Sequence, residues 1–229
     1  MITLVSRKES VQTKKIIGTA LAKLQKVFYD EDMLQYYRDE HEEHLYQDQF
    51  DFLETETIGH TCFNKIIGLH HTDINTFTTT LTHKLTELFA AIGVKELVVI
   101  SHLKLDFFGN RNNKFKPLVN AYKLLERIVG KPTYKEAFIL DVDSLPECIE
   151  ILFWITRCDP TVAEYIFLFD KEEKIQLFLC KYGNIHLTEF GSETLTASLL
   201  ASMDWKIIEG RESDNFTSDG KIRGRKSIR

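Results

Sequence analysis

The texture of the chain changes at Gly93. Before it, apolar residues recur at helical spacing; after it, strand-length apolar runs alternate with helices and then follow one another at hairpin distance. That order calls for helices first and a sheet second. Val94 to Phe108 reads as a long strand, wholly apolar at Leu97 to Ile100 and alternating beyond, with Leu103, Leu105 and Phe107 on one face and His102, Lys104 and Asp106 on the other. A polar loop, Gly109 to Lys116, leads to Pro117 at the start of a helix that reaches Val129 and stops at Gly130. Tyr134 to Leu140 reads as a second strand. Strand, helix, strand at this spacing favours a right-handed parallel crossover, so the two strands are expected side by side and parallel.

A helix follows over Leu145 to Cys158, ended by Asp159 and Pro160. Three short strands come next, Glu164 to Phe169, Lys174 to Cys180 and Asn184 to Phe190, joined by connections of hairpin length that predict an antiparallel meander. Ser192 to Met203 adds a closing helix. Upstream, residues 10 to 28 form an amphipathic pattern through Val11, Ile17, Leu21 and Leu24, and Asp73 is placed to cap a helix running to Ile92 and Gly93. The stretch 50 to 72, broken by Gly59 and Gly68, fits no single element. The expected class is α+β: a helical N-terminal third (1–92), then a mixed β-sheet (93–209) built from a βαβ unit plus an antiparallel three-strand meander with helices packed on it. A flexible basic tail (210–229) carries Lys221, Arg223, Arg225, Lys226 and Arg229.

Charge is distributed less evenly than apolarity. Eleven of the 34 acidic residues lie between Tyr29 and Glu56, where Arg38 is the one basic side chain; that window carries 1 − 11 = −10 and the rest of the chain 28 − 23 = +5. From Asp30 to Gln49 the composition suits one peripheral helix with a thin stripe of Met33, Leu34, Tyr37, His41 and Leu45. Tyr29, Tyr36, Tyr37, Tyr46, Phe50 and Phe52 are threaded among the acids. Carboxylates steer a basic surface from a distance and rings supply buried area on contact, so the window is expected to bind a basic protein through Tyr36, Tyr37, Asp39, Glu40, Glu42, Glu43, Tyr46, Asp48 and Asp51. A solvated helix face is the plainer reading of the same charges, but such a face has no need of exposed rings. The pattern fits a non-enzymatic inhibitor of the immunity or antitoxin type, one that covers a basic partner such as a nuclease toxin.

Other motifs are weaker. Arg38 and His44 stand at a spacing similar to that of a class of metal-independent helical ribonucleases, in which arginine steadies a phosphate and histidine moves a proton, yet the acids around them repel a nucleic-acid backbone. Asp141 and Asp143, just past a strand end, suit metal-assisted chemistry on nucleic acid, but a capping box of Ser144 and Glu147 accounts for the same segment. His102, Lys104 and Asp106 fall short of the phospholipase D-like signature, because Gly109 stands where its aspartate would and the motif occurs once; they are expected on the solvated face of a half-covered strand. The histidines His41, His44, His60, His70, His71 and His83 lack the paired spacing of a zinc site, and no metal or cofactor is expected. Arg111, Lys114 and Lys116 make a basic loop, but a pI of about 5.9 argues against nucleic acid as the primary ligand. Four scattered cysteines, no signal-like N-terminus and no long apolar run suggest a cytoplasmic protein without a membrane span. A nucleic-acid-acting enzyme and a docking subunit of a larger assembly are the alternatives.

Overall fold

The computed structural model describes residues 1–53, 59, 61–70 and 73–222. Its eight strands are β1 (Ile2–Val5), β2 (Cys62–Gly68), β3 (Glu96–Ser101), β4 (Ala137–Asp141), β5 (Ile166–Asp170), β6 (Ile175–Leu179), β7 (Ile185–Phe190) and β8 (Lys206–Ile207). They form one sheet in the order β1-β4-β3-β5-β6-β7-β2-β8, and every pairing among the described residues is antiparallel. The class is α+β, and the meander β5–β6–β7 is present, enclosed between β3 and β2.

The parallel crossover is not. Val99 pairs with Phe138 and Glu96 with Asp141, so β4 begins beside the end of β3 and runs back along it. Residues 102–115 cause the reversal. They carry the chain away before the next helix starts, and the Phe107 amide donates to the Tyr134 carbonyl at 2.9 Å, returning the chain to the end of β3 that it had left. The expected long strand therefore stops at Ser101.

The helices are α1 (Arg7–Thr13), α2 (Lys15–Phe28), α3 (Glu31–Asp39), α4 (Glu43–Gln47), α5 (Phe77–Ile92), α6 (Lys116–Val129), α7 (Leu145–Cys158) and α8 (Ala197–Ser202). Helices α5, α6 and α7 cover one sheet face, where Leu97, Val99, Leu140, Leu168, Leu177 and Leu187 meet Leu85, Leu125 and Phe153. The opposite face is covered over β4, β3 and β5 by α1 and α2, through Val11, Ile17 and Leu21 against Val98, Ile100, Phe167 and Phe169. Burial on both faces is why Leu97 to Ile100 is apolar without alternation. In β6 and β7 burial alternates residue by residue instead, leaving Gln176, Phe178, His186 and Thr188 only half-buried on the second face.

Three smaller features complete the frame. Lys14 interrupts the expected N-terminal helix, and the first amides of α2, Ile16 and Ile17, donate to Glu173 from the β5–β6 turn at 2.7 and 3.1 Å. Asp73 lies in the turn before α5, whose N-cap is Thr76. Residues 210–222 are no loose tail, because Asp214 is buried in an ion pair with Arg157 at 2.7 Å and Phe216 packs on Phe77 and Phe153; the cations at 223–229 lie outside the described residues.

Candidate functional site

The acidic window folds back on itself rather than forming one helix. Asp30 caps α3 by accepting from the Asp32 and Met33 amides at 2.8 and 3.1 Å, His41 reverses the chain with φ 61°, and α4 returns alongside. The physical reason is the thin stripe. Leu34, Tyr46 and Phe50 can be buried together with Leu103 only if the two halves meet, and Tyr29 and Tyr37 pack around them. Ring centroids of Tyr29–Phe50 and Tyr46–Phe50 lie 5.2 Å apart, and Tyr37 stacks on Tyr46 at 5.5 Å.

A buried polar hub fixes this hairpin to the end of β3. The Arg7 guanidinium donates to Asp51 through Nε at 3.0 Å and Nη2 at 2.7 Å, and to the Ser101 carbonyl through Nη1 at 2.8 Å. Gln25 Nε2 donates to Asp51 at 2.7 Å and to the His102 carbonyl at 2.6 Å, while the Asp51 amide donates back to Gln25 at 2.9 Å. The Lys104 amide then reaches the Gln49 carbonyl at 2.9 Å.

This geometry divides the expected binding residues. Tyr46 and Asp51 are corrected to structural roles: Tyr46 is buried, its hydroxyl accepting from the Asp30 amide at 2.7 Å, and the Asp51 side chain is 7% exposed in the hub. Tyr37 is half-buried against Tyr46. Tyr36, Asp39, Glu40, Glu42 and Asp48 are exposed. Glu43 is half-buried and takes a two-point contact from Arg38 at 2.9 and 3.1 Å, which holds its carboxyl below the usual range and raises the guanidinium. Glu54 and Glu56 lie outside the described residues.

Sequence reasoning missed the apolar half of the surface. Eight large hydrophobic side chains are exposed among the described residues, and six of them, Val27, Phe28, Met33, Tyr36, Leu45 and Phe52, belong to the end of α2 or to the acidic segment. Met33 and Leu45, expected on the stripe of a single peripheral helix, are exposed on the folded-back segment.

The catalytic alternatives are placed differently from each other. Arg38 is engaged by Glu43 and by Gln35 at 3.2 Å, and His44 is exposed. Asp141 accepts from the Met1 ammonium and from the Ser144 hydroxyl at 2.8 Å, contacts that lower its carboxyl, while Asp143 is exposed. Because Ser144 turns to Asp141, the expected capping box does not form. His102 is buried rather than solvated: the chain has left the strand, and the ring sits between Phe28 at 4.6 Å and Tyr165 at 5.1 Å. Burial pulls its pKa down to about 4. Lys104 and Asp106 are half-buried, the latter accepting from the Phe108 and Tyr134 amides at 3.1 and 2.9 Å. His41 and His83 are exposed, His70 faces Asp204 at 3.8 Å, and His60 and His71 lie outside the described residues. In the basic loop Arg111 lies over Phe108 at 3.8 Å. No helix among the described residues is long and apolar enough to cross a membrane.

The chain matches no protein-family model, no curated protein and no solved structure, so the reading of the site rests on these residues.

Proposed function

We propose that this chain is a non-enzymatic protein-binding module that uses the outer face of α3 and α4 to cover a basic protein surface, as an immunity or antitoxin-like inhibitor does in a cytoplasm. One observation carries the reading. The exposed apolar side chains Met33, Tyr36, Leu45 and Phe52 belong to the same short segment as eight acids between Asp30 and Asp48. Glu31, Asp32, Glu40, Glu42 and Asp48 make no ion pair or side-chain hydrogen bond among the described residues. Unpaired carboxylates speed association with a cationic partner, and exposed rings and thioethers give the contact that slows release.

The test uses the full chain as bait at low salt, in parallel with Glu40→Lys/Glu42→Lys/Asp48→Lys and with Met33→Ala/Tyr36→Ala. A basic protein retained by the parent should associate at least about tenfold more slowly with the charge-reversed variant, the difference shrinking as salt rises. With Met33→Ala/Tyr36→Ala it should dissociate faster. Equal affinity for all three baits at low salt refutes the reading. An inhibitor also abolishes its partner's activity on binding, whereas a docking subunit of a larger assembly leaves it intact.

A further inference from the structure

The β6–β7 hairpin and residues 210–222 bring together three ligand-type side chains that lie far apart in the sequence. Phe178 pairs with His186 and Leu179 with Ile185, so Cys180, one step beyond β6, opposes Asn184, its amide donating to the Asn184 carbonyl at 2.9 Å. Alternation along the strands puts Cys180 and His186 on the same sheet face, as diagonal neighbours. Glu212 arrives from the C-terminal segment. Its Oε1 lies 3.0 Å from His186 Nε2 and its Oε2 lies 3.3 Å from Cys180 Sγ; one ligand atom from each residue falls within 4.8 Å of the other two.

We propose that Cys180, His186 and Glu212 bind a thiophilic divalent cation of the zinc class. Bonds of about 2.0 to 2.3 Å to nitrogen, oxygen and sulfur place tetrahedral ligands roughly 3.3 to 3.7 Å from one another, a span approached by the separations of 3.0 and 3.3 Å that the two Glu212 oxygens make with His186 and Cys180. Sulfur, imidazole and carboxylate together select zinc over magnesium or calcium, which take all-oxygen shells. Three protein ligands leave a fourth position open to solvent or a small ligand. Cation binding releases one proton to solvent, from the Cys180 thiol, as the sulfur–metal bond forms.

The surroundings hold the ligands in place. His186 stacks on Phe178 at 4.2 Å with the rings 12° apart, which fixes the direction of Nε2. Asn184, 1% exposed, donates to Glu212 Oε2 at 2.9 Å and accepts from Asn215 at 2.6 Å, the outer-shell support that orients a ligating carboxylate. Two residues beyond Glu212, the buried Asp214–Arg157 pair secures the segment that delivers it. His186 also lines a groove of about 550 Å3 with Asn64, Lys65, Ile66 and Thr188. A hydrogen-bonded cluster with the thiol proton shared toward Glu212 is the competing account, and it requires no metal.

The full chain, stripped with a chelator, is titrated with Zn2+ against a chromophoric competitor and separately with Co2+. The parent and Cys62→Ser are expected to take one ion per chain and to show a thiolate-to-cobalt charge-transfer band. Cys180→Ser should abolish that band, and His186→Ala and Glu212→Gln should each weaken Zn2+ binding by at least about tenfold. Glu212→Gln keeps a hydrogen-bonding group in place, so its fold is expected to survive. Absence of the charge-transfer band in the parent, or Zn2+ affinity unchanged in Cys180→Ser, overturns the proposal; if a variant fails to fold, the cobalt spectra of the parent and Cys62→Ser still decide it.

Discussion

Removing Asp51 should do more harm than removing any other acid of the N-terminal half. Its side chain and that of Arg7 are 7% and 3% exposed, and Arg7 makes a two-point contact with it. Asp51→Ala leaves a buried guanidinium with only the Ser101 side chain and the carbonyls of Ser101 and His102, and removes one of the two acceptors of the Gln25 amide. Breaking one side of a buried ion pair typically costs about 3–5 kcal/mol, because the remaining charge stays desolvated. For a chain of this size each kcal/mol moves the melting temperature by about 2–4 °C, so a fall of roughly 6–20 °C is expected. Arg7→Ala should cost a similar amount. The double variant Arg7→Met/Asp51→Leu should recover much of the loss, since an apolar pair of similar volume often replaces a buried ion pair at little cost. Urea midpoints for the two single variants and the double variant complete the cycle, with coupling read from the departure from additivity. A loss below about 1 kcal/mol for Asp51→Ala, the range of surface pairs, refutes the reasoning and with it the anchoring of α3 and α4 to β3.

Other outcomes follow from the same structure. His102 has a folded pKa of about 4 against an ordinary 6.5, so the neutral ring favours the native state: its contribution is fully present above pH 6.5 and is lost as the pH falls toward 4, roughly 3 kcal/mol in all. Urea midpoints at pH 7.5 and 4.5 should therefore differ less in His102→Asn than in the parent, and parallel behaviour refutes the assignment. Asp214→Ala, which strands buried Arg157, should lower stability by about 3–5 kcal/mol, whereas a neutral result would mean that the C-terminal segment is not integrated. Trp154→Ala removes a ring that is 8% exposed, packed on Phe153 at 4.8 Å and bonded to Glu150 at 2.8 Å; thermal unfolding should report a loss of about 3–5 kcal/mol. A β-carbon on Gly109 would lie 2.4 Å from Thr161 Oγ1 and 2.7 Å from Asp159 Oδ2, so Gly109→Ala should cost about 1–3 kcal/mol, and an unchanged melting temperature would show that this loop can yield.

The parts of this fold that could be read in the sequence are those governed by local chemistry. Helix α7 runs from Leu145 to Cys158 as expected, because Pro146 suits its first turn and Pro160 blocks its continuation. Gly93 and Gly130 end α5 and α6 with φ of 73° and 62°, and the meander follows from its two short connections. What could not be read depends on partners distant in sequence. The direction of β4 is decided by where residues 102–115 leave the chain, not by the helix between the strands. Strand β2 emerges from a stretch without a clear period because β7 supplies its register, with Ile67 opposite Ile185. The grouping of Cys180, His186 and Glu212 is illegible for the same reason: a spacing rule sees ligands that are close in sequence, whereas these are joined by strand register and a returning segment.

The acidic window illustrates the difference between composition and placement. Its rings were expected to face a partner, yet Tyr46 and Phe50 are buried and Tyr29 and Tyr37 pack against them. A segment with so little aliphatic content can fold only by using its aromatics as a core, and it borrows Leu103 from the chain just beyond β3 to do so. Four of its acids are likewise consumed locally: Asp30 caps α3, Asp39 accepts from Gln35 at 2.7 Å, Glu43 holds Arg38, and Asp51 holds Arg7. The residues left over carry the proposed function. Glu31, Asp32, Glu40, Glu42 and Asp48 make no ion pair among the described residues, and Met33, Tyr36, Leu45 and Phe52 are exposed. Neither group helps this segment to fold. A solvated face would keep the acids and lose the apolar groups, and a hidden core would do the reverse; their exposure together in one segment is what a cationic, partly apolar partner would complement.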